Sequence, residues 1–125
     1  GFLLVTSPAR AAVTEALYFE RKTRDELNLP LCGFVLNRSL AAGRDRALPD
    51  LQAVPAGALR EGLRKLLPMA RIEQETVDGH AALADELAQR SGPDGLCAVL
   101  PSLVHGASGL EDLVALADVL SGGPA

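Results

Sequence analysis

The chain has 125 residues, 48% hydrophobic and 22% charged, and its 12 basic and 16 acidic side chains give a formal net charge of −4. That length suits one domain or part of one, able to hide roughly two-thirds of its extended surface on folding, and the composition is not that of a disordered chain. No apolar run approaches the roughly 20 residues of a membrane-spanning helix, and the acidic balance lacks the basic footprint of a nucleic-acid binder, so the expectation is a soluble cytoplasmic protein with no nucleic-acid partner.

Residues 2 to 6, Phe-Leu-Leu-Val-Thr, form a short, continuous apolar strand. Ser7-Pro8 then reads as a helix start, with Ser as the cap and Pro in the first helical position. The helix should run to about Leu27 on a stripe of Ala12, Val13, Ala16, Leu17 and Phe19. It should stop at Asn28-Leu29-Pro30, where Asn accepts the left-handed terminal turn and Pro forbids continuation. A second strand over about 31 to 37 follows at the distance of a crossover unit, which makes the two strands parallel. Both are apolar throughout rather than alternating, as expected under helices on both faces.

Residues 39 to 55, rich in Ala, Gly, Arg and Asp, read as a flexible loop. A helix over 56 to 67 carries Leu59, Leu63, Leu66 and Leu67 and is interrupted by Pro68. A further helix spans about 73 to 90, with Asp78-Gly79 as a kink or a fresh start. The turn Ser91-Gly92-Pro93-Asp94-Gly95 leads to a third strand, Leu96 to Leu100. Ser108 and Glu111 are spaced as a capping box for a last helix that should face the sheet with Leu110, Leu113, Val114, Ala117 and Leu120, before a frayed tail at 121–125. The fold class is therefore α/β: a small, mainly parallel three-stranded sheet flanked by four or so helices. An edge of so small a sheet invites pairing with another chain or another copy.

Catalytic signatures are lacking: there is no Gly-rich phosphate loop, no nucleophile elbow and no zinc-protease motif. Cys32 and Cys97 sit inside strands without metal-ligand spacing and read as buried free thiols in a reducing compartment. His80 reads as a helix-surface residue; His105 lies in the loop after the third strand and reads as a loop residue, with a role at the ligand edge as the alternative. The basic clusters Arg21-Lys22-Arg24 and Arg60 to Arg71 read as solvated helix faces. The most pointed feature is Leu31 to Arg38, an apolar strand delivering Asn37 to its carboxyl edge, where open α/β sheets bind ligands.

Three stretches, Val5-Thr6-Ser7-Pro8, Gly33-Phe34-Val35-Leu36-Asn37-Arg38, and Leu100-Pro101-Ser102-Leu103 with the later Ser108-Gly109-Leu110-Glu111, together resemble the carboxyl-terminal part of ArsA-like anion-pump ATPases and their relatives that target tail-anchored membrane proteins. The resemblance covers most of the chain and is weakest from 39 to 95. It implies a single partial domain over 1–125, the carboxyl-terminal portion of a P-loop NTPase fold. The chain opens on Gly1 directly into a strand, which fits such a piece. It further implies that Asn37 reads an adenine base, that Arg38 adjoins it, and that Pro101, Ser102 and Leu103 form part of the base pocket. The parent would use ATP or ADP with Mg and hydrolyse ATP; the piece alone would hold no nucleotide tightly and catalyse nothing. Implied partners are the amino-terminal half, a second copy of the parent, and a membrane pump subunit or client protein. Ala9 stands where relatives carry an acid, and the stretch from Ala41 to Asp50 lacks the C-x-x-C pair of zinc-bridged relatives. The competing reading is a non-catalytic α/β interaction module; a receiver-like signalling domain would need acids after the first strand, where Thr6-Ser7-Pro8-Ala9 has none.

Overall fold

A computed structural model describes residues 1–43, 47–103 and 109–121. Three strands, β1 (Phe2–Thr6), β2 (Leu31–Ser39) and β3 (Leu96–Pro101), form one sheet in the order β1-β2-β3, with both pairings parallel. Between them run helix α1 (Arg10–Leu27), a 3₁₀ turn (Leu40–Gly43) and helix α2 (Ala58–Ser91); helix α3 (Leu110–Leu120) follows β3. The expected α/β class with a three-stranded parallel sheet is what the chain adopts, and the described residues form three α-helices where four or so were expected.

Sequential strand order with a constant crossover hand puts α1 and α2 on the same face of the sheet. There Val13 of α1 and Leu83, Ala84 and Leu87 of α2 close over Phe34 and Leu36, with Leu4, Cys97 and Val99 packed alongside. The opposite parity of the strands forms a second, smaller core of Val35, Ala98 and Leu100 beneath Leu116 and Val119 of α3. The β1 side of that second face is bare, and Leu3 and Val5 are exposed. Gly33 is essential to the centre of the sheet, because a Cβ there would lie 2.0 Å from the Leu96 carbonyl oxygen.

The helices depart from expectation in instructive ways. α1 begins at Arg10 with extended Ala9 as its cap and no capping side chain, so Ser7 and Pro8 serve the turn from sheet edge to helix rather than the helix itself. Its end is as expected: Asn28 is left-handed (φ 51°) and its N–H donates to the Arg24 carbonyl at 3.2 Å. Phe19 is exposed, not part of the buried stripe, and Glu20 and Thr23 are buried in its stead. The Glu20 carboxylate is neutralised on both oxygens: Arg24 lies 2.7 Å from one, and Arg90 of α2 donates to the other from Nε at 3.1 Å and from a terminal nitrogen at 2.9 Å.

α2 is one uninterrupted helix of 34 residues with Pro68 inside it. The proline deletes one helical hydrogen bond at a cost of about 3 kcal/mol, but long runs of Leu, Arg, Lys, Glu and Ala on either side are strong helix formers. Asp78-Gly79 passes through without a break for the same reason. The second half of α2 packs on the sheet through Leu83, Ala84 and Leu87, and Val77 is buried as well; in the first half Leu59, Leu66, Met69 and Ile72 are exposed. The expected loop at 39–55 is partly structured: β2 runs on through Ser39, the 3₁₀ turn follows, and the Asp50 carboxylate accepts from the Gln52 N–H at 2.9 Å in a side-chain-capped turn.

α3 starts at Gly109, whose N–H donates to the Asp112 carboxylate at 3.3 Å; the expected Ser108 cap lies outside the described residues. It turns Leu116 and Val119 to the sheet, whereas Leu110, Leu113, Val114, Ala117 and Leu120, expected to face it, are exposed. Of the expected tail, 122–125 lie outside the described residues. Among the described residues no helix is long and apolar enough to cross a membrane.

Candidate functional site

Parallel pairing brings the carboxyl ends of all three strands to one edge, where Thr6 pairs with Leu36 and Ser39 pairs with Pro101. At that edge β2 is irregular. Arg38 takes a left-handed conformation (φ 60°), which costs a non-glycine residue on the order of 1 kcal/mol, and the register with β3 shifts between Leu36 and Ser39. The irregularity exposes the Arg38 side chain and buries Ser39. The Ser39 hydroxyl then accepts the Ala41 N–H at 3.1 Å, satisfying a donor that the short 3₁₀ turn leaves free.

The next N–H, that of Leu40, donates to Nδ1 of His80 on α2 at 3.1 Å. His80 is therefore not the bland surface residue expected: it is half-buried and ties the end of β2 to the long helix. This bond assigns Nδ1 as the acceptor and leaves the ring proton on Nε2.

Between the turn, α2 and the end of β3 lies an open cleft of about 450 Å³. Ser39 and Leu40 form one wall, Glu73, Gln74 and Val77 of α2 another, and Pro101 and Ser102 close it from β3. The Gln74 amide is oriented by donating to the Asp78 carboxylate at 2.9 Å. A lining of mixed apolar and polar groups, with two hydroxyls, an amide and a carboxylate, suits a small ligand that carries hydrogen-bonding groups.

Of the residues singled out in the sequence, Pro101 and Ser102 line this cleft. Leu103 is half-buried and is the last described residue before 104–108, so His105 lies outside the described residues. Asn37 is half-buried at the carboxyl end of the central strand, and its amide makes no hydrogen bond with the described residues. Asn37 and Arg38 are not among the residues lining the cleft. The edge thus carries two features, the Asn37 amide and the cleft of Ser39, Pro101 and Ser102. Sequence reasoning missed Ser39, Glu73, Gln74 and His80. Ser39 could have been found from its place after Asn37-Arg38; the other three approach from 34 or more residues away and carry no local signal.

The cysteines differ from each other. Cys32 is exposed, contrary to the expectation of a buried thiol, because it sits at the amino end of β2, beyond the helices. Cys97 is half-buried, with Sγ 3.7 Å from the Ala84 carbonyl oxygen, and its pKa is raised by burial and, secondarily, by the negative charge of Asp85. Among the described residues no group of three His, Cys, Asp or Glu side chains is placed to hold a metal ion. No family model matches the chain, and no curated protein matches its sequence.

Proposed function

We propose that this chain is the adenine-recognising, carboxyl-terminal portion of an ArsA-like ATP-hydrolysing P-loop protein, cytoplasmic and dimeric as a whole. The observation that carries the reading is the half-buried Asn37, whose amide has no hydrogen-bond partner among the described residues, at the carboxyl edge of the central parallel strand, the edge where open α/β sheets receive ligands. One amide offers a donor and an acceptor together, the pattern that adenine presents with its exocyclic amine and adjacent ring nitrogen. Pro101, Ser102 and Leu103 would flank the base, with Arg38 at the rim.

Phosphoryl transfer needs backbone amides, a Lys and Mg around the phosphates, and the sequence has no loop for them. Its share in the parent's reaction is to seat the base and to couple nucleotide state to a pump subunit or client protein, with the catalytic apparatus supplied by the amino-terminal half. The test is Asn37→Ala in the longer polypeptide that this reading requires. Binding of a fluorescent ADP analogue should weaken about tenfold, as for one lost bidentate contact, with unchanged thermal stability; unaltered binding would sink the assignment.

A second reading, a non-catalytic interaction module, is favoured by one observation: exposed Val5, Tyr18 and Phe19 line one open groove along β1 and α1. Nucleotide binding by the intact protein separates the two.

A further inference from the structure

A second open cleft, of about 520 Å³, runs between α1 and α2 on their shared face of the sheet. Thr14, Leu17 and Arg21 form its α1 wall, and Glu86, Gln89 and Arg90 form its α2 wall. Two ion pairs join the walls: Arg10 to Glu86 at the start of α1, and Glu20 to Arg90 further along it. The volume is that of a small-molecule site, and Leu17 with the arginine stems supplies an apolar floor.

The polar groups of this cleft are unequally used. Glu86 is occupied by Arg10. Thr14 donates its hydroxyl to the Arg10 carbonyl at 2.9 Å and has no donor to spare. Arg90 gives Nε and Nη2 to one oxygen of Glu20, which is 1% exposed. That buried carboxylate fixes the guanidinium plane and leaves Nη1 for another acceptor. Arg21 and Gln89 are exposed and make no hydrogen bond or ion pair with the described residues. The groups left over are therefore chiefly donors: a whole guanidinium, one nitrogen of a second, and an amide. Two cations, Arg21 and Arg90, against one anion, Glu86, also leave the lining positive in a chain whose net charge is −4.

We infer that this cleft binds the phosphate group of a small-molecule phosphomonoester, with Arg21 as its principal ligand and Arg90 and Gln89 as supporting donors. Donors that approach from two helices suit an anion whose oxygens point in several directions, as those of phosphate do, better than a planar carboxylate. Glu86 opposes the anion and also holds Arg10 away from it, so its neutralisation has a predicted sign opposite to that of losing Arg21. The inference does not rest on the nucleotide reading: α1 leaves the carboxyl edge of the sheet at Arg10, and Arg21 lies about 16 Å further along the helix axis.

The test is titration of the nitrogen-labelled chain with inorganic phosphate at neutral pH and constant ionic strength, read by NMR, with the same spectra reporting the folding of each variant. The Arg21 Nε–H and Gln89 amide signals should move together and saturate with a Kd of about 1 mM. Arg21→Gln, which removes no partner from the folded chain, should raise Kd at least about tenfold, and Glu86→Gln should lower it about threefold or more. Lys22→Gln, at a neighbouring exposed cation outside the cleft, should leave Kd unchanged, and acetate should bind at least about tenfold more weakly than phosphate. Absence of saturable shifts up to roughly 20 mM phosphate, equal losses in Arg21→Gln and Lys22→Gln, no gain in Glu86→Gln, or acetate binding as tight as that of phosphate overturns the inference.

Discussion

Replacing Arg90 with alanine removes the ion pair that α2 makes with the buried carboxylate of α1. Glu20 is 1% exposed, and Arg90 reaches one of its oxygens with two hydrogen bonds, at 3.1 and 2.9 Å, while Arg24 from Glu20's own helix holds the other. Hydrogen bonds to charged groups are worth about 1.5–3 kcal/mol each. The Arg90 side chain is 38% exposed, so solvent screens it, and two bonds sharing one oxygen do not add in full; about 2 kcal/mol is expected. For a chain of this size that lowers Tm by roughly 6–10 °C. Arg10→Ala is the internal control. Arg10 also bridges α1 to α2, through Glu86, but with side chains 65% and 41% exposed, and its loss should cost below about 1 kcal/mol. Urea unfolding followed by circular dichroism, with m held constant, measures both. A further variant, Glu20→Met/Arg90→Met, should regain most of the loss, because an apolar pair replaces a desolvated ionic one. If Arg90→Ala and Arg10→Ala fall within about 0.5 kcal/mol of each other, burial of Glu20 does not amplify its pairing and the reasoning fails.

Three further outcomes are expected. His80→Ala leaves the Leu40 N–H without its acceptor and should cost about 1–2 kcal/mol while speeding hydrogen exchange at that amide; unchanged exchange would mean that the bond is not held in solution. At pH 8, a thiol reagent should label Cys32 rapidly and Cys97 only on unfolding, since Cys32 is exposed and the raised pKa of Cys97 keeps it protonated; equal rates would contradict both placements. Gly33→Ala must push the β2 and β3 backbones apart and should cost more than about 3 kcal/mol or prevent folding; a stable variant with native circular dichroism would refute the close approach.

The strands and their parallel order could be read from the sequence because short apolar runs separated by crossover-length segments admit few other topologies. The left-handed stop at Asn28 was equally plain, being a local matter of one residue before Leu29-Pro30. What escaped depended on distance or on phase. α3 is apolar nearly all round, so periodicity could not decide that Leu116 and Val119, rather than Leu113 and Val114, face the sheet. Nothing local to Glu20 signals its burial, because its Arg90 partner lies 70 residues away. Pro68 looked like a terminator because propensity weighs one residue, while helix continuity sums over thirty-four. At the carboxyl edge of the sheet, Asn37, Pro101 and Ser102 were legible as strand ends. The wall supplied by α2 was not, since nothing in Glu73, Gln74 or His80 announces which strand end they will meet.

The unequal crossovers bear on the order of assembly. Leu3 pairs with Gly33, 30 residues on, whereas Gly33 pairs with Leu96, 63 residues on. The longer closure costs about 0.7 kcal/mol more in chain entropy, and most of it is spanned by a helix whose first half has little sheet to rest on. The β1-α1-β2 unit is therefore the expected nucleus, with β3 joining late. Val13→Ala, in the first unit, should mainly slow folding, and Leu100→Ala, in the last strand, should mainly hasten unfolding; stopped-flow kinetics showing the reverse would place the nucleus on the other side of Gly33.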